Sequence, residues 1–453
     1  FLANFSTYLN TAYLSFLWLF VLYRLGYLIF CNFINSKKLL LAETIVISVG
    51  LSIFTLYLIG LVTNVIGISL DYKGLAPVWT ILSVNIAYIA LIIISAIRNK
   101  LPELGYKLWN ITLRHFAALI LPWLIPIVGL LGTVQLNNNH GGTLSYISIL
   151  LVAILFIAMV LTRKKVTESV YLSVIAAITL TLVLGVSMRS SFLIGFDINA
   201  EYRAFSETMS TGIWTFDSAS STYKACLSIT ILPTIINNFI TISSQYVFKL
   251  IMQLILCILP FIVFVIARRG YKLNDKSAFI SALFFIASTQ YIFQFPALVR
   301  QQSALLFFGL IFIIYLLPIA SNKLKMFLMM LFSLGMVMSH YSTTYVSIAL
   351  LLLVWFFSKL LVVKLIENNT NKFKSNNTTR SLNILIIPLF LMSFVWYGQL
   401  FQDTGGIVQK VSSSITNIGE IFKSESRSTF ITQTIAGGNS SYDSSDLLVL
   451  ERE

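Results

Sequence analysis

Asp197 and Glu201 stand four residues apart, just past an apolar run of membrane length and inside the longest polar turn of the chain, residues 188–245. A carboxylate in that place can cap a helix, take a proton from a hydroxyl as a general base, or hold a divalent metal. Partial burial would raise its pKa toward the range where a base works. Cationic partners for an anionic substrate are Arg189, three residues past the preceding apolar run, and Arg300, at the start of a later one. An arginine can grip a phosphate with two parallel N–H groups, or simply snorkel to a lipid headgroup. Gln301 and Gln302 follow Arg300 and add hydrogen-bonding capacity. His340 lies in the run Ser339-His340-Tyr341-Ser342-Thr343-Thr344, which is either a plain polar hairpin or a contact for a sugar or phosphate. If any residue holds a metal it is Asp197, and no other cofactor is legible.

These residues need an element to carry them. Ile198, Tyr202, Phe205 and Met209 recur at helical spacing, with Arg203, Glu207 and Ser210 on the opposite face. Gly212 sits where such a helix would end. The pattern predicts a helix over 198–211 with Asp197 as its N-cap, lying flat in the membrane interface with its apolar stripe down. Asp197, Glu201 and Thr208 then share the flank between stripe and water. Arg203 and Glu207, four apart, read as a weak surface pair.

The chain that supplies this helix is 57% hydrophobic and only 11% charged over 453 residues, with mean hydropathy +0.86. Such a chain cannot bury its apolar surface in one water-facing globule, so it reads as an all-α polytopic membrane protein. About twelve runs are long enough to span: 11–31, 39–62, 76–97, 116–133, 144–161, 169–186, 246–267, 277–293, 303–319, 326–340, 345–363 and 382–397. The stretch 326–363 reads as a hairpin of two short helices or one long tilted helix. The net charge of +14 does not point to nucleic acid, because no basic cluster resembles a groove or stacking surface. The three cysteines form neither a disulfide framework nor a paired metal site. No phosphate-binding loop, zinc motif or serine triad is present, and no internal repeat is visible.

Alternate turns carry nearly all the lysine and arginine, among them Lys37 and Lys38, Arg163 to Lys165, and the Arg268, Arg269, Lys272 and Lys276 group. Positive charge collects on the cytosolic side of membrane proteins, so those turns read as cytosolic in a plasma-membrane protein. The 188–245 loop and the tail after Phe401 then lie outside. Residues 225–240 are apolar enough to cross, but a crossing there would invert the charge pattern. Pro233 and the Asn237-Asn238 pair fit an interfacial or re-entrant segment instead. The chain opens at Phe1 and stops in a polar stretch, which reads as a piece of a longer protein without a signal peptide.

The run Ser190 to Tyr202, the later Leu227-Ser228-Ile229-Thr230-Ile231-Leu232-Pro233, Arg300-Gln301-Gln302 and Ser339 to Thr343 together resemble an uncharacterised archaeal family of multi-pass membrane proteins. That family is similar to the C-fold (GT-C) glycosyltransferases, which include protein mannosyltransferases and oligosaccharyltransferases. The resemblance implies an N-terminal membrane region over 1–168, a GT-C-like module over 169–400 and a truncated outer region over 401–453. It implies a polyprenyl-phosphate sugar as donor and inverting transfer on the outer face. It also implies Asp197 as base, Arg300 as a lipid-phosphate contact, and Glu201 and His340 as helpers. Those enzymes often carry adjacent acidic residues, whereas here Glu201 follows Asp197 one turn later. A transporter or flippase for lipid-linked glycans and a non-catalytic envelope assembly protein are the other expectations. The apolar runs look free of mid-membrane charge, which counts against transport. Nothing in the sequence sets the oligomeric state.

Overall fold

The computed structural model describes residues 23–34, 39–101, 112–162, 166–215, 223–240, 242–319, 321–368 and 385–400, and all regular structure among them is helical. Residues 23–33 are helical. There follow α1 (Leu41–Ser69), α2 (Pro77–Ile97), α3 (Leu113–Asn137), α4 (Thr143–Leu161), α5 (Glu168–Ser187), α6 (Phe196–Thr211) and α7 (Ile231–Phe239). Then come α8 (Ser244–Arg269), α9 (Asp275–Ile286), α10 (Val299–Leu316), α11 (Asn322–Ser339), α12 (Tyr341–Asn368) and α13 (Leu385–Tyr397). Among the described residues, eight helices are long and apolar enough to cross a membrane: α1 to α5, α8, α10 and α12. Helix is the form such sequences must take in lipid, because each N–H and C=O finds its partner within its own segment. The protein is therefore a multi-pass membrane protein.

The remaining runs take other forms. The 277–293 run is α9 followed by Gln290–Ala297, bent by 60° at the break, and counting that pair as one span gives nine. A π-turn at Gln290–Gln294 and Pro296 in the 3-10 turn after it interrupt the helical ladder there. The 326–340 run is α11, and it is separated from α12 by a single extended residue, His340 (φ −162°, ψ 121°). Of the two forms expected for 326–363, the chain thus takes two helices. The 382–397 run appears as the short α13. Residues 11–22 of the first run and the tail 401–453 lie outside the described residues.

Burial separates the helices into a centre and a rim. The most apolar stretch of α8 is 72% buried and that of α5 is 67%, against 17% for α2 and 11% for α4. Helices that stay apolar while exposed face lipid, as α2 and α4 do. At the centre, Tyr57 of α1 meets Phe307 of α10 at 5.9 Å, and Phe307 meets Phe332 of α11 at 6.1 Å. The 225–240 segment does not cross. Its helix α7 has only nine residues, and Leu227, Ile229, Ile231, Leu232, Ile235 and Ile236 are all fully buried. It is packed inside the protein rather than lying on its surface. Asn238 Nδ2 fixes its end by donating to Leu75 O and Thr80 Oγ1, both at 2.9 Å.

Helix α1 measures the distance between two polar ends. Near its start, buried Glu43 takes the Arg269 guanidinium through both carboxylate oxygens. Glu168 of α5 accepts the N–H groups of Leu41 and Ala42, satisfying donors that a helix start leaves open. Near its other end, Asn64 exchanges two hydrogen bonds with the backbone of Trp214, at 2.7 and 2.8 Å. Twenty-one residues of helix separate Glu43 from Asn64, or roughly 30 Å at about 1.5 Å per residue. That is about the thickness of a bilayer's hydrocarbon core. The Arg268, Arg269 and Lys276 group occupies one end of the bundle, and the segment carrying α6 occupies the other.

Candidate functional site

Helix α6 starts two residues earlier than its spacing indicates, and this corrects the role of Asp197. The N-cap is Gly195, at φ 123°, a conformation that favours glycine. A Cβ at Gly195 would also meet Ala297 Cβ at 2.8 Å, so glycine lets the two chains close up. Asp197 is the second residue of the helix and makes no capping bond. It still adds negative charge to the first turn, which favours the helix dipole. Gly212 closes the helix at φ 67°, as its sequence position implies.

The apolar stripe of α6 packs on protein through Ile198, Tyr202 and Phe205, while Met209 at its end is exposed. Ile198 and Phe205 are buried, and Tyr202 and Phe205 pack on Phe248 of α8 at 5.6 and 5.4 Å. Tyr202 also shares a hydrogen bond with Ser244 at 2.6 Å. Further exposed apolar residues lie just before the stripe: Phe192, Ile194 and Phe196. On the far face, Glu207 pairs with Arg203 at 3.2 Å, as the spacing indicates, and with Lys224 at 3.1 Å.

With its stripe docked, α6 presents Asp197 and Glu201 to the first residues of α10. Arg300 joins them. Its Nη2 donates to Asp197 Oδ1 at 3.0 Å and to the Tyr223 hydroxyl at 3.1 Å, and its Nε lies 3.2 Å from Glu201 Oε1. Tyr223 in turn donates to the same Asp197 oxygen at 2.7 Å, and its ring covers the guanidinium at 3.9 Å. Glu201 is fully buried and accepts the backbone N–H groups of Val299 at 2.9 Å and Arg300 at 3.4 Å. It thereby supplies acceptors that the start of α10 needs.

Three polar atoms in this cluster make no hydrogen bond among the described residues, Arg300 Nε being one although it lies 3.2 Å from Glu201 Oε1. Arg300 is only 6% exposed, yet its Nη1 has no hydrogen-bond partner among the described residues. Asp197 is more than a third exposed, and both bonds to it use Oδ1, so Oδ2 is uncommitted among the described residues. Burial pushes the Glu201 carboxyl up to about 8, against the opposing pull of the Arg300 guanidinium and the two N–H groups. Burial also holds the Tyr223 phenol well above its ordinary value, so it stays a donor.

The other candidate residues divide. His340 is buried at the junction of α11 and α12, its Nδ1 bonded to Thr343 Oγ1 at 2.7 Å. Its ring lies 5.2 Å from Tyr341, whose ring is 5.7 Å from the Arg300 guanidinium, so it stands behind the cluster. Arg189 is elsewhere. It is exposed and lines an open hollow of about 270 Å³ with Asn137, Ser190, Ser191 and Phe192. Gln301 is half-buried and makes no side-chain hydrogen bond among the described residues. Its neighbour Gln302 is buried, and bonds to Gln253 and to the carbonyl of Phe295. Thr208 is also buried and bonds back to Ala204 O within its own helix.

A metal fits this arrangement poorly. Among the described residues no three His, Cys, Asp or Glu side chains converge in the way a metal ion needs. Asp197 and Glu201 each pair with Arg300, whose positive charge would repel a dication between them.

Two residues are invisible from spacing alone, one in this cluster and one apart from it. Tyr223 has no sequence context that marks it. Lys249 lies within α8, where the run reads as wholly apolar, and is nearly fully buried with its Nζ donating to Ser190 O. A charge inside an apolar span is itself a signal of function. Comparison with known protein families, with curated sequences and with solved structures finds no match to this chain.

Proposed function

We propose that this chain is an integral membrane glycosyltransferase that moves a sugar from a polyprenyl-phosphate donor at the outer membrane face. The observation that carries the reading is the pairing of a half-exposed carboxylate with a buried, incompletely bonded arginine. Asp197 Oδ1 is held by Tyr223 and Arg300, which leaves Oδ2 to take the proton of an acceptor hydroxyl. Arg300 Nη1 can donate to the donor's phosphate and offset the charge that grows there as the sugar departs. Glu201 fixes the depth and angle of Arg300, and His340 backs Tyr341. Tyr223 covers the guanidinium, so substrate groups enter beside its ring. No step is routed through a metal. In this reading the basic turns are cytosolic, α9 with its bent continuation, α11, α13 and the N-terminal run complete twelve crossings, and residues 169–400 form the GT-C-like module.

A second reading, transport of a lipid-linked glycan, has its own support. Lys249 is a buried charge inside α8, and α9 with Gln290–Ala297 is a broken span, both of which are common in transporters. Proteoliposomes holding the purified chain separate the two. Supplied with polyprenyl-phosphate sugars and an acceptor, an enzyme releases polyprenyl phosphate and builds a glycosidic product. A transporter instead moves the intact lipid-linked sugar between leaflets and makes no product.

A further inference from the structure

A small cavity lies at the start of α6, on the side facing α5 and α8. It has a volume of about 30 Å³ and is lined by Ser187, Lys249, Ile198, Leu193, Pro296 and Ala297, among others. A volume of this measure exceeds the ~10–15 Å³ that one water needs. Exposed Ile194 and Phe293 are also among its lining residues and give it an opening to the surface.

Its polar content is unusual for an apolar wall. Lys249 is only 3% exposed and spends one donor on Ser190 O, which leaves two N–H groups of the ammonium. Ser187 is 9% exposed, and its buried hydroxyl has no partner among the described residues. The first turn of α6 forms a further wall and brings the positive end of a 16-residue helix dipole close by. No carboxylate lines this cavity. A buried cation, an unpaired hydroxyl and a helix start therefore meet with no anion to balance them. Burying an unpaired charge is costly, and a bound anion removes that cost.

We propose that this cavity is an oxyanion site in which Lys249 and Ser187 bind a phosphate group, supplied by a lipid headgroup or by free phosphate. The site is separate from the Asp197 and Arg300 cluster and stands whether or not that cluster transfers sugar. Ser187 donates its hydroxyl hydrogen, Lys249 donates two N–H groups, and the α6 dipole adds a favourable field.

The test uses the full chain in phosphatidylcholine nanodiscs. The thermal-unfolding midpoint is followed on titration with inorganic phosphate, and separately in nanodiscs that contain phosphatidylglycerol. A midpoint raised by inorganic phosphate assigns the site to the free ion, and one raised only by phosphatidylglycerol assigns it to a headgroup. In either case Lys249→Met abolishes the rise and Lys249→Arg keeps it. Ser187→Ala, a change small enough to preserve the fold, weakens binding by about tenfold, as expected for a lost hydrogen bond to a charged group. Asp197→Asn leaves the rise intact. No rise in either arm, or a rise that survives Lys249→Met, overturns the proposal.

Discussion

Arg300 and Asp197 are 103 residues apart in sequence and joined by a 3.0 Å ion pair, in which a 7%-exposed guanidinium meets a carboxylate that is 38% exposed. The pair ties the first turn of α6 to the first turn of α10 and leaves Arg300 Nη1 and Asp197 Oδ2 facing no partner among the described residues. Glu201 completes the arrangement from one helical turn away by accepting the backbone N–H groups of Val299 and Arg300 at the start of α10.

Removing Arg300 should be severe. Arg300→Ala takes the cation from Glu201 and Asp197 together, and above the pH at which Glu201 ionises this reaches the cost of breaking a buried pair, about 3–5 kcal/mol. Arg300→Lys keeps the charge but loses the fork that reaches Asp197 and Glu201 together, so it should fold better and still bind donor weakly. Thermal unfolding in nanodiscs, compared with donor binding for the same two variants, checks both statements.

Glu201 gives the protein a pH dependence. Its carboxyl is held at about 8 in the folded state, above the 4.5 of an unperturbed glutamate. The folded state therefore binds this proton more tightly than the unfolded state. Its contribution to stability is complete below the ordinary carboxylate range and is lost as pH rises through about 8. Wild-type protein should show a falling unfolding midpoint across that window, and Glu201→Gln should show a flatter profile.

Gly195→Ala should disturb the site without touching any charged group. The new Cβ would meet Ala297 at 2.8 Å in a backbone conformation that L-residues rarely adopt. Strain of this kind costs on the order of 1–3 kcal/mol. The midpoint should fall by that equivalent, with a larger proportional loss of turnover because α6 shifts against α10.

At the opposite end of the bundle, Arg269→Ala strands Glu43, which is fully buried, whereas Glu43→Gln leaves Arg269 partly exposed. The arginine variant should lose about 3–5 kcal/mol and the glutamine variant less. Comparative unfolding measurements decide the order.

Much of this was legible in the sequence, for physical reasons that also explain the rest. Apolar runs of membrane length are strong signals, and the eight crossing helices correspond to them closely. Asp197, Glu201 and Arg300 stood out because charge at the end of an apolar run is costly and so informative. The α6 stripe predicted a helix correctly but not what its stripe would bury against. Periodicity reports which face avoids water, and both lipid and protein satisfy that, so the packing of Phe205 on Phe248 could not be read from spacing. Tyr223 escaped because an aromatic in a polar loop has no periodic signature. Lys249 escaped because one lysine barely alters the mean hydropathy of a 26-residue helix.

The most direct measurement is turnover by Asp197→Asn in proteoliposomes supplied with a polyprenyl-phosphate sugar and an acceptor. Asparagine preserves the size of the side chain and an acceptor for Tyr223 and Arg300, while removing the base. The account predicts an unfolding midpoint close to wild type and sugar transfer lower by roughly 10²–10⁴-fold, the usual contribution of a general base. Transfer at the wild-type rate by a normally folded Asp197→Asn protein would contradict it.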